Sequence, residues 1–72
     1  MLSKRQRVII GQTVKRLRRK ARLSQESLAE KAGIHPNYVG RIERGECSAT
    51  LAILLKLAKV LKVRPYKIFL QL

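Results

Sequence analysis

Hydrophobic residues recur at helical spacing along the chain, beginning in its first third. The apolar positions there follow one another at steps of four, three and four residues: Ile10, Val14, Leu17 and Ala21. Such steps place side chains on one face of an α-helix. Because basic residues fill much of the remaining sequence, the pattern predicts a first helix with a buried stripe and a basic, exposed face.

Two short helices are predicted next, since residues that begin and end helices divide the chain there. Ser24 is a favourable N-cap for a second helix over residues 25–32, and Gly33 suits the left-handed conformation that ends it. A third helix is expected to follow, with His35 at its N-cap and Pro36 at its first position, which needs no N–H. The predicted inward residues are Leu28 and Ala32 in the second helix and Val39 and Ile42 in the third. Gly45 is predicted to end the third helix.

The last third of the chain predicts a fourth helix capped by Thr50 and a short fifth helix whose first turn is marked by Pro65. The residues expected to face the core are Leu51, Leu54, Leu55, Ala58, Leu61, Ile68 and Phe69, and those expected to face water are Lys56, Lys59 and Lys62. No segment shows the alternating pattern of a strand. The sequence therefore predicts an all-α fold, a compact five-helix domain that spans residues 1–72.

A chain of 72 residues forms one small core, and a domain of this size buries only about 60% of the surface of its unfolded chain. Dimerisation would add stability. The apolar end of the chain and the fourth helix are the expected dimer surface, with these candidate residues: Tyr66, Phe69, Leu70 and Leu72.

Charge points to a polyanionic partner. Seventeen Lys and Arg residues oppose four acidic ones, which gives a net charge of +13. All four carboxylates lie within residues 23–47, whereas nine cations lie within residues 1–22. The basic segment at residues 1–8 is expected to be either a flexible arm that reaches the duplex or a solvated tail.

Several classes of function are not supported by the sequence. The lone Cys47 cannot form an internal disulfide, and the beginning of the chain lacks the apolar run of a secretory signal. The longest apolar run, LAILL, is too short to span a bilayer. His35 has no partners for a metal site, and no catalytic set of residues can be assembled. We therefore expect a cytoplasmic, non-enzymatic protein without a cofactor, metal ion, membrane or small-molecule ligand.

The two short helices and their glycine-containing turn, over about residues 25–44, have the arrangement of a helix-turn-helix. The stretches VKRLRRKARLSQESLAEKAGIHPNYVGRIERG and TLAILLKLAKVLKVRPYKIF resemble the Cro/C1 family, to which the repressors of phages lambda and 434 belong, over residues 10–69. The matching pieces are Leu17-Arg18, Leu23-Ser24-Gln25, Leu28-Ala29, Ala32-Gly33, Val39, Ile42-Glu43-Arg44-Gly45, Leu57-Ala58, Leu61 and Phe69. The tyrosine-containing third helix also resembles that of restriction-modification controller proteins, which often carry an arginine where this chain has Pro36.

This resemblance implies a lambda-repressor-like, sequence-specific transcriptional regulator that binds double-stranded DNA as a homodimer on a palindromic operator. The residues expected to contact bases in the major groove are Pro36, Asn37, Tyr38 and Arg41. Asn37 and Arg41 are four residues apart on one helix face, and their side chains suit adenine and guanine respectively. Tyr38 is expected either to touch the duplex or to fill the edge of the core.

Phosphate contacts are expected at Ser24, Gln25 and Arg44, although Arg44 would also offset the negative end of the third helix. The resemblance further implies a partly buried ion pair between Arg18 and Glu43, the alternative being two unrelated surface charges. The glycine at position 40 suggests a close backbone approach to DNA or to the second helix. The carboxylate at position 46 departs from the family, which often has a basic or amide residue there.

Two other functions remain open from the sequence. One is an antitoxin-type interaction module whose main partner is a toxin and for which DNA binding is secondary. Such modules usually add a segment beyond the helix-turn-helix core, whereas this sequence stops soon after the fifth helix. The leucine- and lysine-rich fourth helix is also amphipathic, as in cationic peptides that lie on membrane surfaces. Its apolar stripe is better explained as part of a core.

Overall fold

The computed structural model describes residues 2–72, and the all-α fold expected from the sequence is confirmed there. The five helices are α1 (Lys4–Lys20), α2 (Gln25–Ala32), α3 (Pro36–Glu43), α4 (Leu51–Leu61) and α5 (Tyr66–Phe69). No strand occurs among residues 2–72. Helix α3 packs against both α1 and α2, and α4 packs against α2. None of the described helices has the length and apolar character needed to cross a membrane.

The expected helix caps form. The side chains of Ser24, His35 and Thr50 each accept a backbone N–H in the first turn of α2, α3 and α4, at 2.9, 3.0 and 3.2 Å. Such bonds satisfy donors that have no partner within the helix, which fixes where each helix starts. Residues close in the sequence therefore determine where α2, α3 and α4 begin.

The N-terminal segment is not an arm or a tail, so that expectation is wrong from Lys4 onward. Helix α1 begins there with a capping box, in which the Ser3 hydroxyl accepts the Gln6 N–H and the Gln6 side chain accepts the Ser3 N–H. Two reciprocal bonds of this kind stabilise a helix start that lacks an apolar stripe. Met1, also part of the expected segment, lies outside the described residues.

Arg7 links the first turn of α1 to the rest of the domain. Its Nε donates to the carbonyl of Gly45 and its Nη1 to the carbonyl of Leu2, both at 3.2 Å. Arg7 is thus a structural residue that links α1 to the loop after α3, not part of a mobile arm.

The core forms where the inward faces of the helices meet. Its buried apolar residues are Ile10, Val14, Leu28, Ala29, Ala32, Val39, Ile42, Leu54, Leu57, Ala58, Leu61 and Ile68. The prediction for α4 is partly wrong, because Leu51 and Leu55 are 63% and 44% exposed whereas Leu57 is fully buried. A helix this rich in leucine offers several possible apolar stripes, and its packing against α2 and α1 selects the one that contains Leu54, Leu57 and Leu61.

Helices α1 and α3 approach at backbone distance at Gly11. A Cβ at this position would lie 2.2 Å from the carbonyl oxygen of Ile42 and 2.7 Å from that of Glu43. Only glycine allows such an approach. This contact sets how closely α3 approaches α1.

Candidate nucleic-acid interface

The turn between α2 and α3 fixes the orientation of the two helices relative to each other. Gly33, at the end of α2, has φ of 70°, and the next residue, Ile34, donates its N–H to the carbonyl of Ala29 at 3.0 Å. This bond closes the last turn of α2 as in a Schellman motif. Pro36 then begins α3, with its φ already fixed for a helix.

Helix α3 has one buried face and one exposed face. Val39 and Ile42 are buried in the core, whereas Pro36, Asn37 and Arg41 are exposed. Asn37 and Arg41 stand one turn apart on the exposed face, as expected. Their amide and guanidinium groups are therefore presented to solvent on a helix whose opposite face is fixed by packing.

Tyr38 lies between the two faces. Its side chain is half-buried and packs against the core cluster. Tyr38 therefore fills the edge of the core, which is one of the two roles expected for it. Contact of its exposed portion with a duplex stays a prediction.

All of the residues expected to contact DNA, except Tyr38, come together on one surface. One shallow depression is lined by Gln25, Pro36, Asn37, Gly40, Arg41, Arg44 and Glu46, and a second by Arg18, Ser24, Gln25, Glu26, His35, Pro36 and Asn37. The two depressions share Gln25, Pro36 and Asn37, so they are continuous. The start of α2 and the outer face of α3 form this single surface, which we call the α3 surface.

A buried ion pair lies beneath the α3 surface. Arg18 of α1 and Glu43 of α3 form two contacts, Nε to Oε2 at 2.6 Å and Nη2 to Oε1 at 3.0 Å. Their side chains are only 10% and 2% exposed. The hydrogen bond that Arg18 donates to Glu43 raises the pKa of Arg18 despite the opposing cost of burial. The pair implied by the resemblance is therefore present, and it joins α1 to the end of α3.

Two of the expected phosphate contacts have internal partners. The Gln25 amide donates to Glu43 Oε1 at 3.0 Å, which extends the buried pair to the first residue of α2. The Ser24 hydroxyl accepts the Ser27 N–H and donates to the Ser27 hydroxyl. Both side chains are thus held in place at the start of α2, and their contact with phosphate stays a prediction.

The third expected phosphate contact, Arg44, is paired with the carboxylate of Glu46. Nε of Arg44 lies 2.7 Å from Oε2 and Nη2 lies 3.3 Å from Oε1. The hydrogen bond from Arg44 is the main reason why the pKa of Glu46 is lowered from its usual value of 4.5. The pKa of Arg44 is raised for the same reason. The carboxylate at position 46 departs from the family pattern, but the sequence did not predict its pair with Arg44, for which the two-residue spacing is the only signal.

Gly40 lies beneath these side chains. A Cβ on Gly40 would be 3.0 Å from Nη1 of Arg44 and 3.5 Å from Oε1 of Gln25. The close approach expected at this glycine is therefore made by side chains from α2 and from the end of α3. Gly40 gives Arg44 room to lie across the outer face of α3.

The expected dimer residues lie away from α3, at the end of the chain. Tyr66, Leu70 and Leu72 are 54%, 65% and 52% exposed, whereas Phe69 is half-buried against the core. Large apolar side chains at this exposure are available to a partner, although Phe69 contributes mainly to the fold. Dimerisation through them stays a prediction.

Comparison with known proteins agrees with this geometry. The sequence pattern of the HTH_3 helix-turn-helix family matches residues 14–68. The control protein C.BamHI of Bacillus amyloliquefaciens is 38% identical over 60 residues, which are 82% of this chain and 74% of that protein. The control protein C.SmaI of Serratia marcescens is 45% identical over 53 residues, 74% of this chain and 63% of that protein. This chain thus matches less than two thirds of the length of C.SmaI.

A solved structure gives the same result. The restriction-modification controller protein C.AhdI of Aeromonas hydrophila superposes with a TM-score of 0.86 at 41% sequence identity, over 88% of this chain and 96% of that one. None of these three relatives is named as an enzyme, and the resemblance to controller proteins seen in the sequence is confirmed. Because the family pattern covers most of the chain and the relatives share both sequence and fold with it, this chain belongs to the HTH_3 family of helix-turn-helix proteins.

Proposed function

We propose that this protein is a sequence-specific DNA-binding transcriptional regulator that inserts α3 into the major groove. The observation that carries the proposal is the pair of exposed side chains, Asn37 and Arg41, on a helix whose opposite face is buried. Four residues advance a helix by about 6 Å, so the two side chains reach nearby base pairs. Asn forms paired hydrogen bonds with adenine and Arg with guanine.

Charge supports the same partner. A net charge of +13 on 72 residues favours a polyanion, and contact with phosphates makes affinity fall steeply with salt concentration. Ser24 and Gln25 at the start of α2 and Arg44 at the end of α3 are the proposed phosphate contacts. They flank the proposed base-reading residues, so they would fix the register of α3 in the groove.

We further propose that the protein acts in the cytoplasm as a homodimer on a palindromic operator. The longest dimension of the domain is 27 Å, less than the spacing of about 34 Å between successive major grooves, so two copies can lie side by side on one face of a duplex. A two-fold related pair places two α3 helices in successive grooves, about 34 Å apart. The exposed apolar residues Tyr66, Leu70 and Leu72 are the proposed contact. C.AhdI is named a restriction-modification controller protein, and C.SmaI and C.BamHI are named control proteins. These names support control of a restriction-modification system as the regulated process.

Selection of bound duplexes from a random pool, followed by footprinting, tests sequence-specific binding. Arg41→Ala is expected to relax the preference at one base position, whereas Arg44→Ala should weaken all duplexes alike. Lys59→Ala removes the same unit of charge from a depression that shares no residue with the α3 surface, so it serves as the control. Failure of selection to enrich any sequence would overturn the proposal, as would equal, sequence-independent losses in the Arg41 and Arg44 variants.

Sedimentation across a range of protein concentrations tests the dimer. Leu70→Glu is expected to shift the protein to the monomer, because the new charge would be buried at the contact. Ala21→Glu adds the same charge at the exposed end of α1 and should leave the dimer intact. A wild-type protein that stays monomeric at all concentrations, with and without its duplex, would refute this part of the proposal.

A further inference from the structure

The four carboxylates of this chain have different surroundings. Glu43 is buried and paired, whereas Glu26 and Glu30 lie exposed on α2 and form no ion pair with any described residue. Glu46 alone is an exposed carboxylate that is also paired with a residue proposed to bind DNA phosphate. Since a carboxylate repels phosphate, its place on the α3 surface calls for a physical explanation.

The contact between Glu46 and Arg44 has the geometry of a bound phosphate. Two guanidinium nitrogens, Nε and Nη2, face the two carboxylate oxygens at 2.7 and 3.3 Å. Arginine binds the oxygens of a phosphate through the same fork of two parallel N–H groups. Phosphate therefore cannot use this fork of Arg44 until Glu46 leaves it.

The pair is also free to open. The side chains of Arg44 and Glu46 are 58% and 50% exposed. Exposed ion pairs contribute little to stability, because water solvates both partners well when they separate. By contrast, the Gln25 amide and Arg18 are held by the buried Glu43, so the charge of Arg44 is the one that can change partners easily.

We propose that Glu46 competes with a DNA phosphate for Arg44, so that duplex binding exchanges one anion for another at the end of α3. This inference rests on the proposed DNA-binding function and adds a residue that limits affinity. In the free protein Glu46 neutralises part of the α3 surface. In the complex it must separate from Arg44 and remain near the phosphate that replaces it.

Because a phosphate contact carries no sequence information, the exchange weakens every duplex by the same factor. Glu46 therefore lowers the affinity of a very basic protein for DNA in general, without changing its preference among sequences. A sequence-specific DNA-binding protein that binds all DNA less tightly dissociates more readily from unrelated sites.

The test compares Kd values for the selected duplex and for a random duplex of equal length, across a range of salt concentrations. Glu46→Gln is expected to lower both Kd values about three- to tenfold at low salt, by removing a weak competing pair and a repulsive charge. The log–log salt dependence should steepen by up to about 0.9, the value for one additional phosphate contact. Glu46→Ala should act in the same direction, which excludes an effect of the retained amide.

Two controls isolate the exchange from simple loss of negative charge. Glu30→Gln makes the same change of charge on α2, outside the residues that line the α3 surface, and should alter Kd by less than twofold. In an Arg44→Gln background, Glu46→Gln should lose most of its effect. If Glu46→Gln matches Glu30→Gln, or keeps its full effect without Arg44, the competition is refuted.

The two proposals fail in different ways. A wild-type protein that shows no preference between the two duplexes refutes sequence-specific binding, but the effect of Glu46→Gln can still be measured on the random duplex. A clear wild-type preference combined with no effect of Glu46→Gln refutes the exchange alone.

Discussion

The inner and outer faces of α3 each carry one arginine–glutamate pair, and the two pairs differ in almost every physical respect. On the inner face Arg18 and Glu43 are 10% and 2% exposed, and on the outer face Arg44 and Glu46 are 58% and 50% exposed. The inner pair joins distant parts of the chain, whereas the outer pair joins residues two positions apart. Similar chemistry thus gives a fixed joint on one side and an exchangeable contact on the other.

A glycine accompanies each pair, and the two glycines differ in the same way. A Cβ on Gly11 would meet backbone atoms of Ile42 and Glu43, which cannot move without shifting a helix. A Cβ on Gly40 would meet the ends of the Arg44 and Gln25 side chains, which can move. Burial and chain connectivity, not residue type, therefore decide whether a contact maintains the fold or remains available to a ligand.

The largest effect is expected from breaking the inner pair. Glu43→Ala leaves Arg18 buried without a counter-charge and also removes the partner of Gln25, so the free energy of unfolding should fall by about 3–5 kcal/mol. Chemical denaturation measures this change, and Glu30→Ala should alter it by less than about 0.5 kcal/mol. The double variant Arg18→Met with Glu43→Leu should recover most of the loss, since an apolar pair avoids the buried charge. Equal stability of the Glu43→Ala and Glu30→Ala variants would show that the inner pair is not a joint.

The inner glycine should give the next largest effect. Gly11→Ala places a methyl group against the backbone at the end of α3, and the resulting overpacking should lower the free energy of unfolding by about 2–3 kcal/mol. Alanine is otherwise the better helix former, so intrinsic propensity predicts a gain of about 1 kcal/mol instead. A stabilised Gly11→Ala variant, measured by the same denaturation, would contradict the close crossing of α1 and α3.

The outer glycine should give the smallest change in stability, with the opposite sign. Gly40→Ala should raise the free energy of unfolding by up to about 1 kcal/mol, because helix propensity improves and only flexible side chains must shift. The affinity for duplexes should nevertheless fall several-fold, since Arg44 is displaced from the outer face of α3. Loss of stability and affinity together would show that Gly40 belongs to the scaffold. Unchanged affinity would show that the position of Arg44 does not matter.

The sequence by itself determined where α2, α3 and α4 begin and which face of α3 is polar, whereas the start of α1 was not predicted. Ser24, His35 and Thr50 cap their helices through bonds that span only two or three residues, so local chemistry is enough to predict them. The spacing of Asn37 and Arg41 likewise follows from helix geometry alone. The inner pair was also anticipated, but through resemblance to a family and not through spacing, because its partners lie 25 positions apart.

Only the tertiary structure decided which leucines of α4 are buried, how closely α1 meets α3, and which partner each charged group has. Leu51 and Leu57 are chemically identical, and the packing of α4 against α2 and α1 distinguishes the exposed one from the buried one. The crossing at Gly11 and the bond from Gln25 to Glu43 join residues that are distant in the chain, so no local pattern reports them. Long-range packing determines which charges are fixed and which remain free to exchange, because it alone controls how much water reaches each pair.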